Sequence, residues 1–127
     1  MAVQFVAVAV GAILGANLRY LVTTWSVERW GAEYPYGTFI VNVSGAFAIG
    51  IVLAYLGERF EISPLWRLLF VTGFLGGYTT FSTYAWEGLL LAEQGAFFSA
   101  LAYILGSNVI GFLGVWLGAT LARLSTG

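Results

Sequence analysis

The sequence predicts an all-α integral membrane protein with four transmembrane helices in one domain covering residues 1–127. Of its 127 residues, 60% are hydrophobic and only 9% are charged, whereas about a quarter of the residues in soluble domains are charged. All charged residues except Arg19 and Glu87 lie in or beside short polar windows, or near the C-terminus. The segments between these windows lack the charged outer faces that a soluble helical bundle requires.

We expect the spans at about residues 2–25, 37–56, 66–91 and 95–121. Each reaches or exceeds the roughly 20 residues that cross a hydrocarbon core. Tryptophan and tyrosine residues concentrate towards the segment ends, where amphipathic rings settle at the lipid headgroups. The first segment has no positively charged region before it, so we predict a retained span and not a cleaved signal peptide.

The residue types exclude several classes of function. The chain has no Cys, His, Asp or Lys, which excludes disulfides and thiolate metal sites. A serine or threonine nucleophile would lack an imidazole or amine base, so we do not expect an enzyme. Five arginines and six glutamates give a net charge of −1, and this balance offers no basic surface for a nucleic acid.

The positive charges are nearly balanced across the membrane. Four spans place both termini and the second loop on one side, with Arg59, Arg67 and Arg123, while Arg29 and the nearby Arg19 belong to the other. This bias is weak under the positive-inside rule, so insertion in both orientations and an antiparallel homodimer are possible. A single orientation with the N-terminus inside is equally compatible. A 13.7 kDa protomer has little room to enclose a pathway, which favours association.

Residues Gly73 to Glu87 form a polar stretch within the third apolar segment. Glycines that free the backbone precede a Thr-Thr-Phe-Ser-Thr run whose hydroxyls can bond to carbonyls or to a passing ion. This pattern predicts a helix that is broken inside the membrane and forms an ion site. Glu87 is the only carboxylate inside a predicted span. It could relay protons or cations, or accept hydrogen bonds from hydroxyls such as Thr83 one turn earlier.

Two polar residues of the first two spans have both a structural and a functional interpretation. Arg19 shares a helix face with Gly11 and Gly15, and it could attract anions into a vestibule or serve structurally at the interface. Asn42 could donate to an ion from its carboxamide, or form an interhelical hydrogen bond. Polar groups at membrane depth are functional candidates by default.

The remaining polar candidates indicate an anion. Tyr103 and Ser107 share a face of the fourth span and form a narrow polar track, whereas Asn108 is predicted to point elsewhere. Intramembrane donors far outnumber carboxylates, and a small anion must exchange its water shell for N–H and O–H groups. Phe81 and Tyr84, three residues apart, can present positive ring edges to such an ion.

Small residues four positions apart predict where helix backbones approach closely. The pairs are Gly11 with Gly15, Ala46 with Gly50, Gly73 with Gly77, and Gly114 with Gly118.

The polar motifs resemble those of a known family. The run Gly-Phe-Leu-Gly-Gly-Tyr-Thr-Thr-Phe-Ser-Thr-Tyr from residue 73, Gly-x-x-x-Arg at 15–19 and Gly-Thr-Phe-x-x-Asn at 37–42 resemble the Fluc/CrcB family of microbial fluoride channels. The resemblance implies a passive fluoride channel of the inner (plasma) membrane that exports fluoride and gives fluoride resistance. It also implies an antiparallel dual-topology homodimer with two pores, embedded in membrane lipid.

The resemblance also implies roles for individual residues. A structural sodium ion at the dimer interface would be bound by the backbone carbonyls of Gly76 and Thr79 from each subunit. The fluoride pore would include a set of side chains from three spans: Asn42, Thr80, Phe81, Thr83, Tyr84, Glu87, Tyr103 and Ser107. The chain departs from the family pattern at Tyr84, where phenylalanine is usual, and at Gly111, where threonine is frequent.

Two other functions are compatible with a small four-span protein. A small multidrug-type proton-coupled exporter would be expected to have its coupling glutamate in the first span, where this chain has Arg19. Its cationic substrates also fit poorly with a donor-rich interior. A non-transporting assembly subunit would not require the concentration of glycines and hydroxyls between residues 73 and 83.

Overall fold

The described residues fold as a bundle of helices. A computed structural model describes residues 1–58 and 63–127, and within these ranges there are helices and connecting turns but no strand. Arg59, which entered the charge balance above, lies outside the described residues. The all-helical class predicted from the sequence is confirmed.

Three helices are continuous and predominantly apolar. Helix α1 is Ala2–Trp30, helix α2 is Tyr36–Val52 and continues through a π-helical turn at Leu53–Gly57, and helix α6 is Phe97–Leu124. With mean hydropathies of 1.8, 2.1 and 1.7, these three are the described helices long and apolar enough to cross a membrane. They correspond to the first, second and fourth predicted spans.

The third predicted span, residues 66–91, is divided into shorter helical pieces. Helix α3 is Pro64–Arg67, a π-helical stretch covers Leu68–Leu75, helix α4 is Gly76–Tyr78, and helix α5 is Phe81–Glu93. Two non-helical residues separate α4 from α5. Its passage through the membrane stays a prediction.

The helix ends follow from local sequence. Ser63 caps α3 by accepting a hydrogen bond from the N–H of Leu65 at 3.4 Å, with Pro64 in the first turn. Helix α1 ends at Gly31, whose φ of +82° suits a residue without Cβ. Gly95, with a φ of +77°, occupies the turn between α5 and α6 in the same way.

The backbone of α1 is in direct contact, at glycines, with that of residues 64–93, the third region of the chain. A Cβ added to Gly15 would lie 2.0 Å from the carbonyl oxygen of Phe74, and one added to Gly11 would lie 2.1 Å from that of Leu69. Helices α2 and α6 meet similarly, because a Cβ on Gly50 would lie 2.3 Å from the carbonyl oxygen of Val115. The predicted close approaches are confirmed at these positions. At Gly114 the nearest atom would be 3.5 Å away, an ordinary contact.

The enclosed core of the protomer is small and partly aromatic. Tyr103 is fully enclosed and clusters with Tyr84, Leu91 and Ala100 between α5 and α6. In contrast, many large apolar side chains are exposed, including Phe98 at 94% and Phe81 at 79%. Such extensive apolar surface suits contact with lipid or with another protein.

We predict that Gly15→Ala destabilises the purified protein. The added methyl group would overlap the backbone of the third region, and overpacking of this kind costs about 1–3 kcal/mol. A thermal unfolding midpoint measured in detergent should fall. Gly106→Ala is the matched control within a helix, because its Cβ would meet no atom within 4 Å. Equal midpoints for the two variants would contradict backbone contact at Gly15.

Candidate functional site

Two threonines interrupt the helical backbone between α4 and α5. Thr79 has φ −85° and ψ 159°, and Thr80 has φ −148° and ψ 119°, so both are extended. In a continuous helix the N–H of Thr80 would bond to the carbonyl of Gly76, and the N–H of Thr83 to the carbonyl of Thr79. Both N–H groups have other partners here, which releases the two carbonyls from that pattern.

The carboxamide of Asn42 binds both backbone polar groups of Thr80. Its Oδ1 accepts from the Thr80 N–H at 2.7 Å, and its Nδ2 donates to the Thr80 carbonyl at 2.9 Å. Asparagine suits this position because one planar group supplies a donor and an acceptor side by side. The side chain of Asn42 on α2 thereby holds the backbone of the interruption. One N–H of its carboxamide remains for another acceptor.

The side chain of Thr80 then begins the next helix. Its Oγ1 accepts from the N–H of Thr83 at 3.3 Å, the usual bond of an N-terminal cap. The hydroxyl of Thr79 instead donates to the carbonyl of Leu75, four residues earlier, at 3.0 Å. The carbonyl of Thr79 is therefore released by a local cap, whereas that of Gly76 is released by Asn42.

Arg19 binds the interruption from the opposite helix. Its Nε donates to the carbonyl of Gly77 at 3.0 Å, a carbonyl that would accept from the N–H of Phe81 in a continuous helix. Arg19 also lines a cavity that extends towards the α1–α2 connection. The structural role and the vestibule position considered for Arg19 are thus both compatible with its geometry.

Helix α2 contacts the residues before Thr80 as well. The hydroxyls of Ser44 and Tyr78 lie 2.9 Å apart, and a Cβ on Gly45 would lie 2.3 Å from Cγ2 of Thr79. With Asn42 on Thr80, one face of α2 therefore contacts three consecutive residues of the third region. Ser44 and Tyr78 are not among the site residues predicted from the sequence, although the hydroxyl of each was a visible signal.

Glu87 joins three helices through its two carboxylate oxygens. The Thr38 hydroxyl on α2 donates to Oε1 at 2.7 Å, and the Tyr103 hydroxyl on α6 donates to Oε2 at 3.2 Å. Thr83, considered above as a donor to Glu87, does not form that bond, and its hydroxyl has no hydrogen bond among the described residues. The O–H groups of Thr38 and Tyr103 are thereby occupied by Glu87.

Phe81, Tyr84 and Tyr103 form a series of neighbouring aromatic rings on α5 and α6. The centroids of Phe81 and Tyr84 are 5.8 Å apart with planes inclined at 50°, and those of Tyr84 and Tyr103 are 5.4 Å apart at 55°. Tyr84 is 8% exposed, whereas Phe81 is 79% exposed. The protomer therefore encloses one ring of the predicted pair and leaves the other at its surface.

The hydroxyl of Tyr84 is bonded to α6. It accepts from Asn108 Nδ2 at 2.9 Å and is placed to donate to the carbonyl of Ile104 at 3.3 Å. Asn108, which was predicted to point away from the polar track of Tyr103 and Ser107, reaches Tyr84 on α5. One position beyond Ser107 is a rotation of about 100°, and the carboxamide is long enough to reach α5 from there.

The hydroxyl of Ser107 is buried without a hydrogen-bond partner among the described residues. A buried polar group without a partner costs about 1–3 kcal/mol in proteins. The neighbouring Gly106 and Gly111 leave open space, since a Cβ on either would meet nothing within 4 Å. Ser107 is therefore an O–H donor that the fold leaves unused.

A cavity of about 1190 Å³ extends from the α1–α2 connection to the interruption. Among the candidates, Arg19, Thr80, Thr83 and Glu87 line it. The remaining pore candidates do not line the cavity: Asn42, Phe81, Tyr84, Tyr103 and Ser107. Glu87 connects the two groups, because it lines the cavity and bonds to Tyr103.

Oxygen atoms of the backbone are the donors available for a metal ion. Among residues 1–58 and 63–127 there is no group of three or more His, Cys, Asp or Glu that could bind one. The released carbonyls of Gly76 and Thr79 fit a hard cation, which prefers oxygen ligands.

Comparisons with known proteins identify a family and several relatives. The family model described as "CrcB-like protein, Camphor Resistance (CrcB)" matches residues 6–119. A protein of Roseiflexus sp. (strain RS-1) named "Fluoride-specific ion channel FluC" is 50% identical over 95% of this chain and 98% of its own. Proteins with the same name are 48% identical in Solibacter usitatus (strain Ellin6076), over 94% of this chain and 98% of that protein, and 46% identical in Aquifex aeolicus (strain VF5), over 91% and 96%.

We predict that Asn42→Leu loosens the interruption. Leucine leaves the N–H and the carbonyl of Thr80 without the carboxamide, and each unsatisfied group costs about 1–3 kcal/mol. Hydrogen exchange of peptides covering residues 79–83 should become faster, with a lower unfolding midpoint in detergent. Asn17→Leu is the matched control, because Asn17 bonds only to Ile13 of its own helix. Unchanged exchange in Asn42→Leu would contradict the role given to the carboxamide.

Proposed function

This chain belongs to the CrcB-like protein family, and we propose that it is a passive fluoride-selective channel that exports fluoride from the cytoplasm and gives fluoride resistance. It is a multi-pass protein of the plasma membrane and not an enzyme. The names of its relatives support fluoride as the ion. Within the chain, the observation that carries the proposal is the buried hydroxyl of Ser107, an O–H donor without a protein partner.

Three of the predicted pore residues retain hydrogen-bonding capacity that the fold does not use. The hydroxyls of Ser107 and Thr83 have no hydrogen-bond partner among the described residues, and Asn42 has one further N–H. A small anion gains more from such close donors than a larger one, because its charge is nearer to them. Narrowness together with these donors would favour fluoride over chloride.

Hydroxyl donors occupy both carboxylate oxygens of Glu87. The hydroxyls of Thr38 and Tyr103 lie 2.7 Å and 3.2 Å from its oxygens. Hydrogen bonds to both oxygens stabilise the carboxylate and direct its lone pairs towards protein. We propose that Glu87, Thr38 and Tyr103 set the shape of the pore and that Tyr103 faces the ion through its ring.

The two rings of the predicted aromatic pair would contact the anion by their edges. Phe81 and Tyr84 are inclined at 50° to each other, so an ion beside one edge does not face the ring plane of both. Ring edges carry the positive part of the quadrupole. Because Phe81 is 79% exposed in one protomer, we propose that a second subunit completes the pore around it.

The cavity between α1, α2 and α5 would be the entrance. The guanidinium of Arg19 lines it, with the carboxylate of Glu33 near the α1–α2 connection. Glu33 and Glu87 also line the cavity, so we propose that Arg19 attracts anions only close to its own guanidinium. The bond from Arg19 to Gly77 at 3.0 Å holds that charge beside the interruption, which we propose lies within the membrane.

Two protomers in antiparallel orientation would form the functional unit. The near balance of arginines on the two sides allows dual topology, and the exposed apolar side chains of α5 and α6 offer a surface to a second copy. Symmetry of this kind brings the same residues of both copies together at the axis. The homodimer would therefore have two equivalent pores.

A structural sodium ion would fit at the dimer axis. The carbonyls of Gly76 and Thr79 lose their helical partners to Asn42 and Thr80, which leaves two oxygen ligands in each protomer. Such an ion would neutralise the carbonyl dipoles and bind the two interruptions together. The residues of this chain that hold those carbonyls in place are Asn42, Thr80 and Arg19.

A passive pathway is sufficient for export of this ion. Hydrogen fluoride crosses lipid as a neutral acid and dissociates in a more alkaline cytosol, so the trapped anion leaves down its own gradient. The small multidrug-type exporter is not favoured, because Glu87 is bonded at both oxygens and α1 has Arg19 where that class would need an acid.

We predict rapid fluoride efflux from liposomes containing the protein. The vesicles would be loaded with potassium fluoride or chloride, with valinomycin to carry potassium and no proton gradient. Fluoride should leave without chloride. Loss of both ions at similar rates, or no fluoride loss from assembled dimers, would contradict the proposal.

We predict that Ser107→Ala slows this efflux at least about tenfold, equivalent to about 1.4 kcal/mol. The change removes a donor that has no other use in the protomer. Ser125→Ala is the matched control, since Ser125 bonds only to Ala122 at the end of α6. A rate equal to that of the control would remove Ser107 from the pore.

We predict that exhaustive replacement of sodium by a large organic cation lowers fluoride efflux and the unfolding midpoint together. Both effects should reverse when sodium is returned, because the same carbonyls serve assembly and pore shape. Insensitivity of both quantities to sodium would argue against the cation site at Gly76 and Thr79.

A further inference from the structure

We propose that Asn108 is a positioning residue for Tyr84, which keeps the tyrosine hydroxyl away from the ion so that only the ring edge faces the pathway. This inference rests on the proposed fluoride pore and adds to it a residue on α6. It starts from the three-way contact in which Asn108 Nδ2, the Tyr84 hydroxyl and the Ile104 carbonyl lie 2.9, 3.3 and 3.0 Å apart in pairs.

The hydrogen of the Tyr84 hydroxyl has a defined direction in this contact. Asn108 is a donor through Nδ2, so the tyrosine oxygen accepts from it, and the single phenolic hydrogen is left for the carbonyl of Ile104. Every polar group of the contact has a partner of the right kind. The tyrosine thus offers no free O–H to an anion.

Without Asn108 the same hydroxyl would be poorly held. The bond to Ile104 alone is 3.3 Å long, which is longer than a usual hydrogen bond from a hydroxyl donor. A phenolic oxygen released towards the pathway would present lone pairs or a competing donor to the ion. The ring would also lose the tether that holds it 5.4 Å from Tyr103 and 5.8 Å from Phe81.

A comparison with Asn17 shows that this bond is more than the ordinary behaviour of an asparagine in an apolar helix. Asn17 is exposed on α1, and its Nδ2 donates only to the carbonyl four residues earlier, Ile13, at 2.6 Å. Asn108 makes the equivalent bond to Ile104 and in addition crosses to Tyr84 on α5. The second bond links the two helices on either side of the aromatic pair.

The test compares Asn108→Leu in two backgrounds, wild type and Tyr84→Phe. Leucine is similar in size to asparagine but cannot donate. We expect Asn108→Leu to slow fluoride efflux from liposomes about fivefold in the wild-type background and less than twofold in the Tyr84→Phe background. The effect of Asn108→Leu is expressed as a ratio of rates within each background, so the rate of Tyr84→Phe itself does not enter the comparison. Asn17→Leu is the control for replacing an intramembrane asparagine.

Two results would overturn the proposal. An equal loss of rate in both backgrounds would mean that Asn108 acts on the ion or the fold directly, and no loss in either would mean that the tether is dispensable. Thermal unfolding is also measured for the wild type, the two single variants and the double variant. Midpoint shifts of the single variants that simply add up to that of the double variant would show that Tyr84 and Asn108 do not interact. Wild-type protein without fluoride efflux would refute the proposed function itself, and with it the channel role of Asn108, whatever the unfolding data show.

Discussion

The pair of hydrogen bonds between Asn42 and Thr80 is the constraint on which the rest of the structure depends. An extended residue inside an apolar bundle leaves a backbone donor and acceptor without helical partners, and each costs several kcal/mol if unsatisfied in a membrane. One carboxamide satisfies both, at 2.7 Å and 2.9 Å. With the interruption held in this way, the carbonyls of Gly76 and Thr79 become available, and α5 starts at Phe81 with Tyr84 packed against α6.

The polar groups of this protein fall into two sets with different roles. One set is occupied in holding the fold: Asn42 on Thr80, Arg19 on Gly77, and the hydroxyls of Thr38 and Tyr103 on Glu87. The other set, with Ser107 and Thr83, has hydroxyls that no described residue uses. Polar groups cost free energy in an apolar interior, and we propose that the donors of Ser107 and Thr83 contribute to the path of the ion. A rigid first set keeps the second at fixed spacing.

The sequence predicted the apolar helices, the close contacts at Gly11, Gly15 and Gly50, and the concentration of unusual backbone near Thr79. These features follow from local composition, since apolar length, small residues and glycine followed by hydroxyls act within a few turns of helix. The hydrogen-bond partners of polar side chains on different helices were not predictable in the same way. The bonds of Glu87 to Thr38 and of Asn108 to Tyr84 depend on how far each helix is rotated about its axis, which only the packed bundle determines. The π-helical stretch Leu68–Leu75 is also invisible in a uniformly apolar sequence.

The central claim, a passive pathway selective for fluoride, is tested most directly by the reversal potential of the protein in a planar lipid bilayer. Fluoride and chloride would be given opposite gradients across the membrane, with equal pH on both sides. We predict that the current reverses at the equilibrium potential of fluoride and that this reversal potential does not shift when a pH gradient is added. Reversal at the chloride potential, or a reversal potential that follows the proton gradient, would contradict it.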